Sequence, residues 1–146
     1  KEEFEEQIAN GQMLEHAEYC GKYYGTPSSQ IMDWIEEGRD VVLEIEVQGA
    51  RQIKEKRPDC VSIFVLPPSL EELEKRLRYR NTEDEETIQK RLAVARQEME
   101  TARDYDYVIV NDTIEHTVEQ INKIIAAEKL KVSRAKSNIE RVLNND

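Results

Sequence analysis

Residues 61–66 have the sequence VSIFVL, a short run of mostly β-branched and apolar side chains that ends at Pro67 and Pro68. Two similar runs occur, VVLEIE at residues 41–46 and YVIV at residues 107–110. Each is nearly continuous in apolar character, which is typical of strands buried on both faces, and helical patterns separate them. The alternation predicts an α/β fold, with a parallel sheet covered by helices on both sides.

Two of the helical segments begin with a capping box, in which a hydroxyl and a carboxylate three residues later satisfy free backbone N–H groups. They are SLEE at residues 69–72 and TEDE at residues 82–85. The pattern predicts helices over residues 69–79 and 84–103.

Two more helices follow from proline, glycine and apolar spacing. PSS at residues 27–29 opens a helix that Gly38 is expected to end. Asp112–Thr113 opens a long helix with an apolar stripe of Ile114, Val118, Ile121, Ile124 and Ile125. The charged tail from Lys129 onward is expected to project or pack loosely.

The residues before the first apolar run have a different pattern. Residues 13–19 and 22–26 look like two short strands joined through Gly21. We expect them to form part of a small lobe, which is a plausible place for a second substrate in a parallel-sheet domain.

Composition and charge exclude several classes of protein. The chain has 146 residues, 38% of them hydrophobic, which fits one soluble domain. Its formal net charge of −10 disfavours binding to nucleic acid or anionic lipid. No apolar run approaches the roughly 20 residues of a membrane-spanning helix, so no membrane partner is expected.

The start of the chain and its cysteines bear on location. The chain begins with Lys1 and an acidic amphipathic segment unlike a signal peptide, so we expect it to begin inside a longer protein. Cys20 and Cys60 have no metal-ligand spacing. Reduced thiols in a cytoplasmic protein are expected, with a lone disulfide as the alternative.

Five blocks of sequence resemble guanylate kinases in their order and spacing. They are LEHAEYCGKYYGT at residues 14–26, LEIEVQGA at 43–50, IFVLPPS at 63–69, the segment 71–92 and VIVND at 108–112. The resemblance covers essentially the whole chain. It implies a transferase of purine nucleotide metabolism that moves the γ-phosphate of ATP to GMP, forming GDP and ADP.

The resemblance also implies an architecture and ligands. The fold would be that of P-loop nucleoside monophosphate kinases, a parallel sheet flanked by helices with a small GMP-binding lobe and a helical lid. Residues 1–27 would belong to the GMP-binding lobe, 28–81 and 104–146 to the core, and 82–103 to the lid. GMP, with dGMP as an alternative, and ATP with Mg²⁺ would be bound, and no residue is assigned as a metal ligand.

The first block supplies the residues expected to read the guanine base. Guanine presents two adjacent N–H donors, and the carboxylate of Glu15 can accept both. Thr26 matches a family hydroxyl that would donate to the guanine carbonyl oxygen. Tyr24 matches the tyrosine that holds the GMP phosphate, whereas Tyr23 is expected to be a core aromatic.

The second block supplies further candidates for substrate binding. Glu44 and Glu46 lie two apart on the predicted strand, so both are expected on one face near its carboxyl end. The family usually has aspartate there, serving the GMP nucleoside and the magnesium surroundings. Gln48 offers an amide, and Gly49 permits close approach to the nucleotide, although a plain helix start explains Gly49 nearly as well.

The lid is expected to supply positive charge for phosphoryl transfer, which depends on alignment and electrostatic stabilisation. Arg76 and Arg80 are four residues apart on one predicted helix face, and with Arg91 they match the family's catalytic arginines. Arg78 is expected to be solvated. The family has glycine where this chain has Asn81, a residue that tolerates the left-handed conformation better than most.

Two further expectations concern ATP. Asn111 matches a family position near the adenine, with a helix cap as an equal alternative. The chain contains no G-x-x-x-x-G-K-[ST] phosphate loop. In the family that loop and the first strand precede the first block, so they would lie before Lys1, and the chain alone is expected to be inactive.

Two alternative functions are weighed against this one. Guanylate-kinase-like domains of scaffold proteins have lost catalysis and bind phosphopeptides, but the three lid arginines favour the enzyme. A kinase of AMP or a pyrimidine monophosphate is the other alternative, and Glu15 beside the Tyr-Gly-Thr turn argues against it.

Overall fold

The computed structural model describes residues 2–19, 22–80 and 83–144, without the side chains of residues 14, 16–19 and 22–24. The chain divides into two compact units, Lys1–Ser62 and Ile63–Asp146. Within the described residues, no helix has both the length and the apolar character needed to cross a bilayer.

The first unit combines a β-hairpin with three helices. Its elements, in chain order, are α1 (Glu2–Ala9), β1 (Met13–Tyr19), β2 (Lys22–Pro27), α2 (Ser28–Glu36) and α3 (Val47–Lys56). The two strands pair antiparallel, which confirms the predicted strands at the start of the chain. Helix α3 packs against β1. The helix predicted after Pro27 is also confirmed, and Gly38 follows it with a φ of 83°, a conformation that glycine adopts readily.

The strand predicted over residues 41–46 is wrong. The segment connects α2 to α3 without forming a strand. A strand needs a hydrogen-bonded neighbour, and among the described residues β1 pairs with β2 and no strand pairs with this segment. Its odd-numbered side chains, Val41, Leu43 and Ile45, pack against the buried Ile31 and Ile53. The even-numbered side chains, Val42, Glu44 and Glu46, are exposed.

The second unit contains a parallel strand pair and four α-helices among its described residues. The elements are β3 (Ile63–Leu66), α4 (Leu70–Tyr79), α5 (Glu85–Glu100), a short 3₁₀ helix (Thr101–Asp104), β4 (Tyr107–Val110), α6 (Ile114–Lys129) and α7 (Val132–Asn144). Strands β3 and β4 pair in parallel from Ile63 with Tyr107 to Leu66 with Val110. This pairing confirms the predicted α/β class with a parallel sheet.

Burial along these two strands is less complete than predicted. Ile109 is buried, but Val65 is 45% exposed and Val108 is 54% exposed. Since successive side chains point to opposite faces, the alternation along β4 shows one covered face, where α6 packs. The expectation of burial on both faces is therefore wrong for the described structure.

The starts of α4 and α6 agree with the prediction in position and cap, whereas α5 starts close to the predicted position with a different cap. Ser69 Oγ accepts from the N–H of Glu72 at 3.0 Å, and Thr113 Oγ1 accepts from the N–H of His116 at 3.1 Å. Helix α5 begins at Glu85, where Asp84 accepts from the N–H of Thr87 at 2.9 Å. Its cap is therefore Asp84, and the expected cap residue, Thr82, lies outside the described residues.

The charged tail forms a helix without buried residues, an element that the sequence analysis did not predict. Helix α7 covers Val132–Asn144, with a kink at Ala135. Its apolar residues recur at helical spacing, at Val132, Ala135, Ile139 and Val142. That spacing was a local signal for a helix, and the high proportion of charged residues obscured it.

Candidate nucleotide site

Glu15 is the central residue of the candidate site in the first unit. Its residue surface is only 8% exposed, and a buried carboxylate is costly unless polar groups satisfy it. The register of the hairpin places Thr26 opposite Glu15. The Thr26 hydroxyl donates to Oε1 of Glu15 at 2.8 Å. The two residues predicted to read the base are therefore in direct contact.

Gly49 lies against the other oxygen of the same carboxylate. It is buried in the first turn of α3. A Cβ atom added to Gly49 would lie 2.9 Å from Oε2 of Glu15 and 3.3 Å from its Cδ. The amino end of a helix carries partial positive charge, which suits a neighbouring carboxylate. The structure thus brings Glu15, Thr26 and Gly49 together.

Lys56 fixes the far end of α3 to the strand that carries Glu15. Its ammonium group donates to the backbone carbonyl oxygen of Met13 at 2.5 Å. Helix α3 therefore contacts β1 through Gly49 in its first turn and through Lys56 in its last. Sequence analysis missed Lys56, because no local pattern links residues so far apart in the chain.

Gly25 lies on the strand next to Glu15, and close contacts there leave no room for a side chain. A Cβ atom on Gly25 would lie 2.8 Å from Cζ of Phe4 and 2.9 Å from the carbonyl oxygen of Glu15. The absent side chain leaves room for Phe4 of α1 to pack closely over β2. Sequence analysis also missed this role of Phe4.

The other substrate-binding candidates of the first unit are exposed or have side chains outside the described residues. Tyr24 pairs with Ala17 through the hairpin, but its side chain lies outside the described residues. Glu44, Glu46 and Gln48 are exposed. Glu44 and Glu46 were expected on one face of a strand. No strand forms there, but both side chains face solvent.

Two candidates of the second unit, Arg76 and Asn111, meet at the carboxyl ends of its strands. The N–H of Asn111 donates to the carbonyl oxygen of Leu66 at 2.8 Å, which continues the β3–β4 pairing. Arg76 on α4 donates to the carbonyl oxygen of Asn111 at 3.4 Å. The side-chain oxygen of Asn111 lies 3.2 Å from the hydroxyl of Thr117. Ligands of parallel sheets commonly sit at this edge.

The remaining arginines of the second unit have different surroundings. Arg91 on α5 pairs with Glu83, with 2.5 Å between Nη2 and Oε1. Arg80 follows α4 and is exposed, and no ion pair joins it to another described residue. Among the described contacts, none joins Arg76, Arg80 and Arg91 to one another. Arg78 is exposed, as expected, and it also pairs with Glu74 and Glu85.

Asp112, which was expected to open α6, contacts His116, a residue that sequence analysis did not single out. Nδ1 of His116 lies 2.8 Å and 2.9 Å from the two oxygens of Asp112. The N–H of Thr113 donates to the same carboxylate at 2.7 Å. The pKa of Asp112 is lowered, first by the bond to His116 and then by the bond to Thr113. The spacing of four residues was the available signal.

Most of the sequence matches a known family. The family model described as guanylate kinase matches residues 1–128. The chain belongs to the guanylate kinase family. Guanylate kinases of Lactococcus lactis and Clostridioides difficile are both 51% identical to it, over 99% and 95% of this chain and 69% and 68% of their own lengths.

A solved structure supports the same assignment. The crystal structure of guanylate kinase from Anaplasma phagocytophilum matches with a TM-score of 0.73 and 38% sequence identity. The match covers 92% of this chain and 65% of that one, so the chain spans about two thirds of the guanylate kinases it resembles. The resemblance to this enzyme family is thereby confirmed. The roles of individual residues stay predictions.

Proposed function

We propose that this chain contributes the GMP-binding and lid residues of an ATP:GMP phosphotransferase that forms GDP and ADP. The observation that carries the proposal is the buried carboxylate of Glu15, held by Thr26 in a lobe whose sequence matches the guanylate kinases. GMP is the acceptor, and ATP with its Mg²⁺ is the donor substrate.

Hydrogen-bond chemistry explains why this carboxylate would select guanine. A carboxylate accepts about four hydrogen bonds, and the Thr26 hydroxyl occupies one of these places. The two N–H donors of guanine can fill others. Adenine presents an acceptor where guanine presents a ring N–H, so it would leave the buried carboxylate unsatisfied.

Thr26 has a single hydroxyl proton, which links the free and bound forms of the site. In the structure that proton points to Glu15. To donate to the guanine carbonyl oxygen, the hydroxyl must turn away from the carboxylate. An N–H group of guanine would then donate to the Glu15 carboxylate in place of the Thr26 hydroxyl. In the free site Oε1 of Glu15 accepts from Thr26, and in the proposed complex the two N–H groups of guanine donate to the carboxylate instead.

The proposed phosphate-binding groups are Arg76, Arg80 and Arg91, with Tyr24 on the GMP phosphate. The ion pairs of Arg76 with Glu72 and of Arg91 with Glu83 involve largely solvent-exposed arginines. Exposed pairs contribute little, so exchanging them for phosphate oxygens costs little. The transferring phosphate would then be aligned and neutralised by the lid.

The remaining substrate and nucleotide contacts belong to this proposal as well. Glu44 and Glu46 would face the GMP nucleoside and the magnesium surroundings, Gln48 the acceptor nucleotide, and Asn111 the adenine. Because the 146-residue sequence contains no G-x-x-x-x-G-K-[ST] motif, we propose that these residues in isolation bind GMP without transferring phosphate.

Binding of GMP, IMP and AMP to the chain, measured by isothermal titration calorimetry, tests the base-reading role. Glu15→Gln should weaken GMP binding at least about 10-fold, since it removes a charged acceptor of two donors. The affinity for IMP, which lacks the 2-amino group, should fall less than the affinity for GMP. Glu55→Gln, an exposed change on α3, is the control.

Turnover is measured on the gene product at its natural length. We expect ATP-dependent conversion of GMP to GDP, with AMP a poor acceptor. Unchanged GMP affinity in the Glu15→Gln variant would remove Glu15 from its role. GMP binding without GMP-selective turnover would favour the alternative of a binding module.

A further inference from the structure

The backbone conformation at Gly49 does not require a glycine. It lies in the first turn of α3, and its φ is not in the left-handed region, unlike those of Gly11 and Gly38. Glycine is among the least favourable residues inside a helix. The reason for glycine at this position must therefore lie in the space around its α-carbon.

That space is filled by Glu15. The three atoms nearest to an added Cβ all belong to the Glu15 side chain, at 2.9, 3.3 and 3.5 Å. Real Cβ atoms essentially never approach another heavy atom within 3.0 Å, so any larger residue would displace the carboxylate. The close approach at this position is between the helix and Glu15.

We infer that Gly49 is a positioning residue, which sets the place of the Glu15 carboxylate so that it meets the guanine edge. The inference rests on the proposed base-reading role of Glu15. It also changes the expectation from the sequence, in which Gly49 made room for the nucleotide. Specificity for guanine would then depend on a residue that need not touch the base.

The contact governs position more than stability. Oε2 is the end of a flexible side chain, so the carboxylate can move away from an added methyl group while the backbone stays in place. The opposite oxygen, Oε1, is held by Thr26 at 2.8 Å. A shift of the carboxylate therefore disturbs this hydrogen bond and the two places that guanine would occupy.

The effect on substrate binding is tested by measuring the affinities of Gly49→Ala for GMP, IMP and ATP. The substitution is made in the gene product at its natural length. We expect the Kd for GMP to rise at least about 10-fold, as for a lost hydrogen bond to a charged group, and the preference for GMP over IMP to fall. The Kd for ATP should not change. Glu55→Ala, an exposed substitution on the same helix, should leave all three affinities unchanged.

A thermal-stability comparison tests the contact itself without any ligand. Gly49→Ala is introduced into the parent and into Glu15→Ala, where the obstructing carboxylate is gone. Alanine is the better helix former, so Tm should rise in the Glu15→Ala background and rise less, or fall, in the parent.

Three outcomes would overturn the inference. One is unchanged GMP affinity and GMP-over-IMP preference in Gly49→Ala. Another is an equal change of Tm in both backgrounds, which would show that Gly49 and Glu15 act independently. The third is a parent protein that does not distinguish GMP from AMP, which would overturn the proposed function too. The first two leave the proposed function standing, so the two failures are distinguishable.

Discussion

Arg78 and Glu85 form a two-point ion pair that joins α4 to the start of α5. Nη1 of Arg78 lies 2.5 Å from Oε2 of Glu85, and Nη2 lies 2.8 Å from Oε1. The same guanidinium also donates to Glu74 within α4. Arg78 thus joins α4 to α5, the helix of the expected lid region. This arrangement leaves Arg76 and Arg80 to face solvent.

The pH dependence of this pair is the first prediction. The Arg78 guanidinium lowers the pKa of Glu85 from 4.5 to about 2. Because the folded pKa is depressed, the stabilisation is fully present above pH 4.5 and is lost as the pH falls through about 2. Glu85→Gln should therefore lower Tm near neutral pH, and its difference from the parent should vanish towards about pH 2.

Glu86→Gln is the matched control for this experiment, because Glu86 makes a single, longer pair with Lys90 at 3.4 Å. It should change Tm much less than Glu85→Gln. The effect of Glu85→Gln should also shrink in about 1 M salt, which screens exposed charges. A Tm difference that stays constant between neutral and acid pH would contradict the assignment of this pair.

The second prediction concerns the hydroxyl of Thr26. Thr26→Val keeps the shape of the side chain but removes the donor to Glu15 and, in the proposed complex, to the guanine carbonyl oxygen. We expect at least about a 10-fold rise in the Kd for GMP. Thr26→Ser keeps the donor and should stay close to the parent. Equal affinities for the valine and serine variants, measured by calorimetry, would show that the hydroxyl is not used.

The parts of the fold that sequence predicted are those with local signals. The apolar run in β4 and the hydroxyls of Ser69 and Thr113 act within a few residues of their own position, so their pattern is visible in the chain. The structure has β4, α4 and α6 where these signals placed them. The alternation of strand and helix along the chain then suffices for the α/β class.

The strand predicted at residues 41–46 failed because pairing is not a local property. The segment has the alternation of a strand, with Val41 and Leu43 packed inward and Glu44 exposed. Apolar side chains favour an extended backbone, but hydrogen bonds to a neighbour define a strand. The two glutamates were already a sign that one side of this segment faces solvent.

The candidate site was predicted in its chemistry but not in its internal contacts. Guanine chemistry and the family resemblance singled out Glu15 and Thr26 as residues. The approach of Gly49 to Glu15 and the bond from Lys56 to Met13 join separate elements. Such contacts depend on how α3 lies against β1, which spacing in the sequence does not determine.

The third prediction concerns the cap of α4. Ser69→Ala removes the acceptor for the N–H of Glu72 and should destabilise the fold by about 1 kcal/mol, within the usual range for a cap. Urea denaturation measures the change. Ser69→Asp, which keeps a capping side chain, should lower the stability much less. Equal losses of stability in the alanine and aspartate variants would indicate that Ser69 is not acting as a cap.

The fourth prediction concerns Glu128, whose side chain is 8% exposed near the end of α6. It accepts hydrogen bonds from Tyr107 of β4 and Arg134 of α7, and its oxygen lies 2.8 Å from Nζ of Lys131. The bonds from Lys131 and then Tyr107 lower the pKa of Glu128 below its ordinary value of 4.5. The carboxylate thus ties the start of α7 to the strand pair.

Because the folded pKa of Glu128 is depressed, its contribution is present above pH 4.5 and is lost as the pH falls below that value. We expect the protection of the α7 amides against exchange, after correction for the intrinsic effect of pH, to fall as the pH is lowered below 4.5, and to change less in Glu128→Gln. Tyr107→Phe should lower Tm near neutral pH, since it removes one donor to a buried charge. Tyr79→Phe is the control, because Tyr79 is 91% exposed. Parallel pH profiles for the parent and Glu128→Gln would contradict this role, since the charge of Glu128 would then contribute nothing to the docking of α7.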